Sequence, residues 1–214
     1  MIKFIFYVHE LCQSLSLKII VVLIMEKRLK LFMIMLGCTP KGRLTEQHDI
    51  LFAIGNSLHN LIPKMKNFWP EAKGKLHIDA WREVSAVDNY SIEIVAKNEQ
   101  SNTQSEKLFF INLGGYKEDE FEEYHYKILS VAESLATATK KAKKSTFYKH
   151  CGFKEAPSHI DEKFGIDVDN IYIVSELLDT DCTQHYELKI TKSVTDLKVD
   201  DLHIGYLKLN KLTK

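Results

Sequence analysis

The chain has 214 residues, 45% apolar and 27% charged, enough for a real hydrophobic core in one good-sized domain or two small ones. Its 29 basic and 29 acidic residues cancel, which argues against a chain built for nucleic acid or an anionic membrane. Four scattered cysteines (Cys12, Cys38, Cys151, Cys182) with no C-x-x-C pair fit unpaired thiols in a reducing compartment, and speak against cysteine-ligated zinc.

In chain order, Phe4–Met25 comes first. It is apolar but broken by His9, Glu10, Gln13 and Lys18. Its purest run, Ile19–Met25, is about a third of the roughly 20 residues a spanning helix needs. The run ends in Met25-Glu26-Lys27-Arg28, the reverse of a secretion signal. Residues 1–24 are therefore expected outside the folded body, as an extension or an upstream start ahead of Met25.

From Lys30 the chain is written twice. Lys30–Leu58 and Lys107–Leu135 align without a gap and agree at ten of 29 positions. The matches include Leu36-Gly37 with Leu113-Gly114, Glu46-x-His48 with Glu123-x-His125, and Ser57-Leu58 with Ser134-Leu135. His77-Ile78-Asp79 returns as His159-Ile160-Asp161, and Val87-Asp88-Asn89 as Val168-Asp169-Asn170. Repetition of this kind predicts a pseudo-symmetric body.

Leu31–Leu36, closed by Gly37, reads as a buried strand, and a second strand begins near His48 over Asp49–Gly55. Ser57 stands where a helix N-cap belongs, ahead of an apolar stripe (Leu58, Leu61, Ile62, Met65, Phe68, Trp69) that Pro63 should kink or restart and Pro70 end. Lys75–Val84 and Tyr90–Val95 follow as strands around the Val87-Asp88-Asn89 turn. After a polar linker, Leu108–Leu113 and Tyr126–Ala132 repeat the strand pair. Ser134 caps a second helix, its stripe made by Leu135, Ala138, Thr139 and Ala142. A looser His159–Val168 and a clear strand over Ile171–Leu177 complete the copy. Tyr186–Ile190 and Ile204–Leu209 have no counterpart in the first copy and should close a sheet edge. The expected fold is α+β: two tandem β-β-α-β-β repeats, mainly antiparallel, about a pseudo-twofold axis. Repeat one would span 30–96, the linker 97–106, repeat two 107–178 and the C-terminal strands 179–214.

At Leu36-Gly37, Glu46-Gln47-His48-Asp49, His77-Ile78-Asp79-Ala80-Trp81 and Leu113-Gly114-Gly115, the chain resembles a bacterial family known only as domain of unknown function 1543. The resemblance runs from about Lys30 to the mid-170s. It implies a tandem α+β fold and a cytoplasmic protein, and carries no assigned activity. Two departures stand out: Cys38 where the second copy has Gly115, and Glu162-Lys163 where the first has Ala80-Trp81.

The residues that could carry chemistry are His48, His77 and Asp79. On a strand, positions i and i+2 share a face, so His77 and Asp79 can converge, and His48 can join them from the neighbouring strand. Two imidazoles and a carboxylate suit a divalent metal, or a His–Asp acid–base pair; Glu46 adds a second carboxylate. The second copy repeats these types at His125, His159, Asp161 and Glu123. The plainer reading is that the histidines tie loops to strand ends. No H-E-x-x-H, G-x-S-x-G or phosphate-loop motif occurs. Cys38 lies near Lys41 and Arg43, which could lower its pKa. The lysines of Lys140–Lys149 read as a solvated face, and Trp69 and Trp81 as core. Taken together, the sequence favours a duplicated, non-enzymatic scaffold presenting loops to a small molecule or protein, with a homodimer as one arrangement. The alternative is a metal-dependent or His/Asp acid–base enzyme at His48, His77 and Asp79. A divalent metal is the one cofactor considered; neither nucleic acid nor membrane is expected as a partner.

Overall fold

A computed structural model describes residues 28–73, 75–97, 104–144, 159–160 and 171–212, with the backbone alone at 159–160. The expectations for residues 1–24, Phe147, Tyr148, Asp161 and Val168–Asn170 fall outside the described residues, as does that for the His159 side chain.

Among the described residues, three antiparallel sheets and short helices make an α+β fold. Strands β1 (Lys30–Cys38), β2 (Gln47–Gly55) and β3 (His77–Glu83) form one sheet. β1 lies between the other two, and β11 (His203–Lys208) adds to β3 at the edge. β6 (Lys107–Tyr116) is the centre of a second sheet, with β7 (Glu123–Ala132) on one side. Its other side is shared by β8 (His159–Ile160) and β9 (Ile171–Ile173). A third sheet joins β4 (Ala86–Val87), β5 (Tyr90–Ala96) and β10 (Tyr186–Lys192). The two C-terminal strands thus close edges, as their unmatched sequence suggests.

The alternation of β1 explains the layering. Phe32, Ile34, Leu36 and Cys38 point to one face and pack with Leu61, Met65 and Ile78. Leu31 points to the other, where it meets Phe52, Ile54, Leu108, Phe110 and Val131. In β6 the parity repeats: Phe109, Ile111 and Leu113 pack with Ala138 and Ala142, while Leu108 and Phe110 join the shared core. The order is helix, sheet, common core, sheet, helix. The Phe52 and Phe110 rings meet edge-on at 5.4 Å across the common core. A fully buried side chain of this size contributes about 1.5–3 kcal/mol, so this doubly lined core is the main tie between the sheets.

Helix α1 (Ile62–Phe68) starts afresh after a 3-10 turn at His59–Leu61, with Pro63 in its first turn, where a missing N–H costs nothing. Ser57 Oγ accepts the Asn60 N–H at 3.4 Å ahead of that turn rather than capping α1. Trp69 ends the helix before Pro70. Helix α2 (Leu135–Ala142) is capped by Ser134, whose Oγ accepts the Thr137 N–H at 3.3 Å. The Val87–Tyr90 pair closes a two-residue turn with Asp88 at φ 51 and Asn89 at φ 64, the left-handed geometry that a tight hairpin asks for.

One expected strand is shorter than its sequence suggests. Ile171–Ile173 pairs with β6, but Val174–Leu177 is a helical turn, α3, followed by α4 (Thr180–His185). Val174 and Leu178 are both buried in the common core, and a helical turn lets both reach it. No helix among the described residues is long and apolar enough to cross a membrane.

Candidate functional site

Gly37 of β1 is in register with His48 on β2 and with His77 on β3. All three residues face the common-core side, and the central one has no side chain. A Cβ built on Gly37 would overlap Asp79 Oδ2 and stand 2.7 Å from His77 Nε2. The glycine is thus required by close approach rather than by a turn.

Asp79 reaches the same place through a β-bulge. The pairing of β1 with β3 slips between Met35 and Leu36, so Leu36 faces Ile78, Met35 faces Ala80, and Asp79 is the extra residue. A bulge re-aims side chains and resets the alternation; here Ile78 and Trp81, three apart, both lean on the α1-side core. The opposite strand yields too. Between Ile204 and Leu207 the register of β11 shifts, and Gly205 takes φ 132, a backbone state that favours glycine. Tyr206 then lies against His77, ring centroids 4.4 Å apart.

The resulting cluster has two imidazoles and two carboxylates. His77 Nε2 is 2.9 Å from Glu46 Oε1 and 3.4 Å from Asp79 Oδ2. His48 Nε2 is 3.4 Å from Asp79 Oδ2 and 3.8 Å from Glu46 Oε2. The His77 side chain is 5% exposed and that of Asp79 18%, whereas His48 and Glu46 are both near 40%, at 41% and 42%. His77 Nδ1 lies 3.3 Å from the Lys75 carbonyl, to which it can donate. A carbonyl only accepts, so that contact places a proton on Nδ1 and leaves Nε2 turned toward the two carboxylates. Despite their proximity to one another, neither His77 Nε2 nor Asp79 Oδ2 has a hydrogen bond among the described residues. Two buried polar atoms therefore face one another at 3.4 Å without a hydrogen bond between them. As they stand, no three His, Cys, Asp or Glu side chains among the described residues are arranged to hold a metal ion.

His48 also lines a cleft of about 420 Å³ between the two larger sheets, with Ile50, Phe110, Asn112, His125 and Tyr172 among others. In the second sheet Gly114 is in register with His125 and His159, the same arrangement that Gly37 has with His48 and His77.

Residues 43–94 match the model of the family described as Domain of Unknown Function (DUF1543). The match covers about a quarter of the chain. A similar fold occurs in the crystal structure of a protein Il1583 from Idiomarina loihiensis, with a TM-score of 0.55 and 24% identity over 85% of this chain and 98% of that one. At that identity the likeness concerns the fold alone. No curated protein matches the chain.

The DUF1543 segment contains Glu46, His48, His77 and Asp79, so all four members of the cluster fall inside it. The structure brings these four together. His125 lies across the cleft from His48. Cys38 differs from its expectation: it is fully buried, and burial pushes its thiol pKa up, with Glu46 and Glu71 pushing the same way against Lys75. Lys41 and Arg43 are not among its influences, so no activated thiolate forms there. Trp81 is partly core, but its other face stacks on His203 at 3.8 Å. Sequence reasoning missed Gly37 as the spacer between the histidines, and Tyr206. The repeated Leu-Gly followed by Glu-x-His was the available signal for the first. Nothing local marks Tyr206, whose partner is distant in sequence.

Proposed function

We propose that this protein binds a divalent transition-metal ion at Glu46, His48, His77 and Asp79, reached by a small closure of the two exposed members, Glu46 and His48, onto the two buried ones. One observation carries the reading: buried His77 Nε2, its tautomer set by the Lys75 carbonyl, faces Asp79 and Glu46 without a hydrogen bond. A cation between them would be held by both carboxylates, with His77 Nε2 as a further donor. Donors that share one ion at about 2.1 Å lie ~3.0–3.4 Å apart, depending on coordination geometry. The N···O separations of 2.9, 3.4, 3.4 and 3.8 Å need only small adjustment to meet that spacing. Two nitrogens and two carboxylates suit zinc, manganese or iron rather than calcium or a soft ion.

A scaffold in which the histidines merely tie strands would leave each ring nitrogen hydrogen-bonded to protein. His77 meets that condition at Nδ1 only, which favours the metal reading. Duplication fits the same reading: the second unit is taken as a copy about a pseudo-twofold axis, supported by ten identities in 29 and by the shared Gly–His register. We place the division at repeats 30–96 and 107–178, with the C-terminal strands sealing both. Cobalt(II) titration tests the proposal. Visible d–d bands that saturate at one equivalent, and vanish in His48→Ala, are expected; a featureless titration would refute it.

A further inference from the structure

On the other side of Tyr206 lies a groove of about 750 Å³, within the size range of small-molecule sites. Four lysines line it: Lys66 from α1, Lys73 and Lys75 from the segment before β3, and Lys208 from the end of β11. None of the four ammonium groups has an ion pair or hydrogen bond among the described residues. No carboxylate belongs to the described lining; Glu71, on the turn between Lys66 and Lys73, stays out of it. In a chain of zero net charge, this is a local concentration of one sign. Two aromatic side chains, Trp69 and Tyr206, share the lining with the lysines.

Each feature has a chemical consequence. Four ammonium groups with no partner among the described residues raise the local potential and draw in anions; a phosphate or carboxylate would supply one. Trp69 is half-buried against the α1-side core, so one face is fixed by packing. A planar group in the groove can lie on aromatic surface that need not be organised on binding. The groove also abuts the cluster. Tyr206 touches both, and Lys75 supplies a groove ammonium and the carbonyl facing His77 Nδ1.

We infer that the groove binds a small anionic molecule bearing a planar ring, its acid group on Lys66, Lys73, Lys75 and Lys208 and its ring on Trp69 and Tyr206. This names the ligand class of the cluster proposed above, and rests on that reading only for the link through Tyr206. Binding itself needs no metal.

The test is isothermal titration of the full chain, metal-free and at low salt, with two probes: phenyl phosphate and inorganic phosphate. Phenyl phosphate should bind more tightly, and both affinities should fall with added salt. The doubly charge-reversed Lys73→Glu/Lys208→Glu chain should lose roughly tenfold or more for both probes with an unchanged melting temperature, since both side chains are exposed. Tyr206→Ala should erase the preference for phenyl phosphate and leave inorganic phosphate binding intact. His48→Ala, which removes a cluster member that touches neither Tyr206 nor Lys75, should keep phenyl phosphate binding, which separates this inference from the metal site. If neither probe binds at about 10 mM, or the charge-reversed chain binds as the original does, the inference is overturned, whatever the metal result.

Discussion

His48 and His77 sit on strands two apart, yet their imidazoles reach one carboxylate, Asp79 Oδ2, at 3.4 Å each. Neighbouring strands lie about 4.8 Å apart, so the row across the sheet spans roughly twice that. Only a central residue without a side chain lets two rings lean together over it, and that residue is Gly37.

Gly37→Ala should therefore act on the cluster before it acts on the fold. The added methyl would collide with Asp79 and crowd His77. Overpacking of this kind costs about 1–3 kcal/mol. The expected result is a chain that still folds, melts lower and loses metal binding. Unchanged metal affinity in Gly37→Ala would show that the close approach at this glycine is irrelevant to the site.

Asp200 anchors the C-terminal segment that delivers Tyr206. Its carboxylate, 5% exposed, accepts from Arg82 Nη2 at 2.8 Å, from Ser85 Oγ at 2.6 Å and from the Ser85 N–H at 3.0 Å. Removing one partner of such a buried pair leaves Arg82 uncompensated, and Asp200→Ala should destabilise by about 3 kcal/mol. Urea denaturation measures it, and a change under about 1 kcal/mol would mean the pair is not a principal anchor.

Asp179 and Lys64 tie α4 to α1 at 2.5 Å, and Asp179 also accepts the Cys182 N–H. Burial pushes the Asp179 carboxyl up, but hydrogen bonds from Lys64 and Cys182 and the Lys64 charge outweigh it and hold the pKa below its ordinary value. A depressed carboxylate contributes stability above its unfolded pKa of about 4, and loses it as pH falls through the lower folded value. Lys64 is raised despite burial, so its share persists up to about pH 10.5 and fades above. Asp179→Asn keeps the helix cap and removes the charge. Its deficit should be present at neutral pH and fade as pH falls through the lowered folded pKa, staying under ~1 kcal/mol because the pair is substantially exposed. A deficit independent of pH would contradict this.

Much of the architecture was legible in the sequence. Short apolar runs closed by glycine gave β1 and β6, Ser134 gave the α2 cap, and Val87-Asp88-Asn89 marked the tight turn. Period-two reasoning also pointed His77 and Asp79 at one face, but the route was different. Asp79 converges because it is the bulged residue, and a bulge is fixed by pairing register, which no local window contains. The same limit hid Tyr206, set in place by a second shift on β11. At Val174–Leu177 the β-branched start suggested a strand, yet burial of Val174 and Leu178 in one core overrode that weak preference. Cys38 misled for a related reason: sequence proximity to Lys41 and Arg43 says nothing about the burial that governs its thiol.

The central claim is that the two-histidine, two-carboxylate cluster binds a metal ion. Calorimetric titration of zinc into the intact chain and into His77→Ala, each with its melting temperature, tests it most directly. One equivalent should bind with a Kd of about 1 µM or tighter and raise the melting temperature, and both effects should be lost in His77→Ala. No stoichiometric zinc in the intact chain, or equal binding in a His77→Ala chain that merely melts lower, would contradict it.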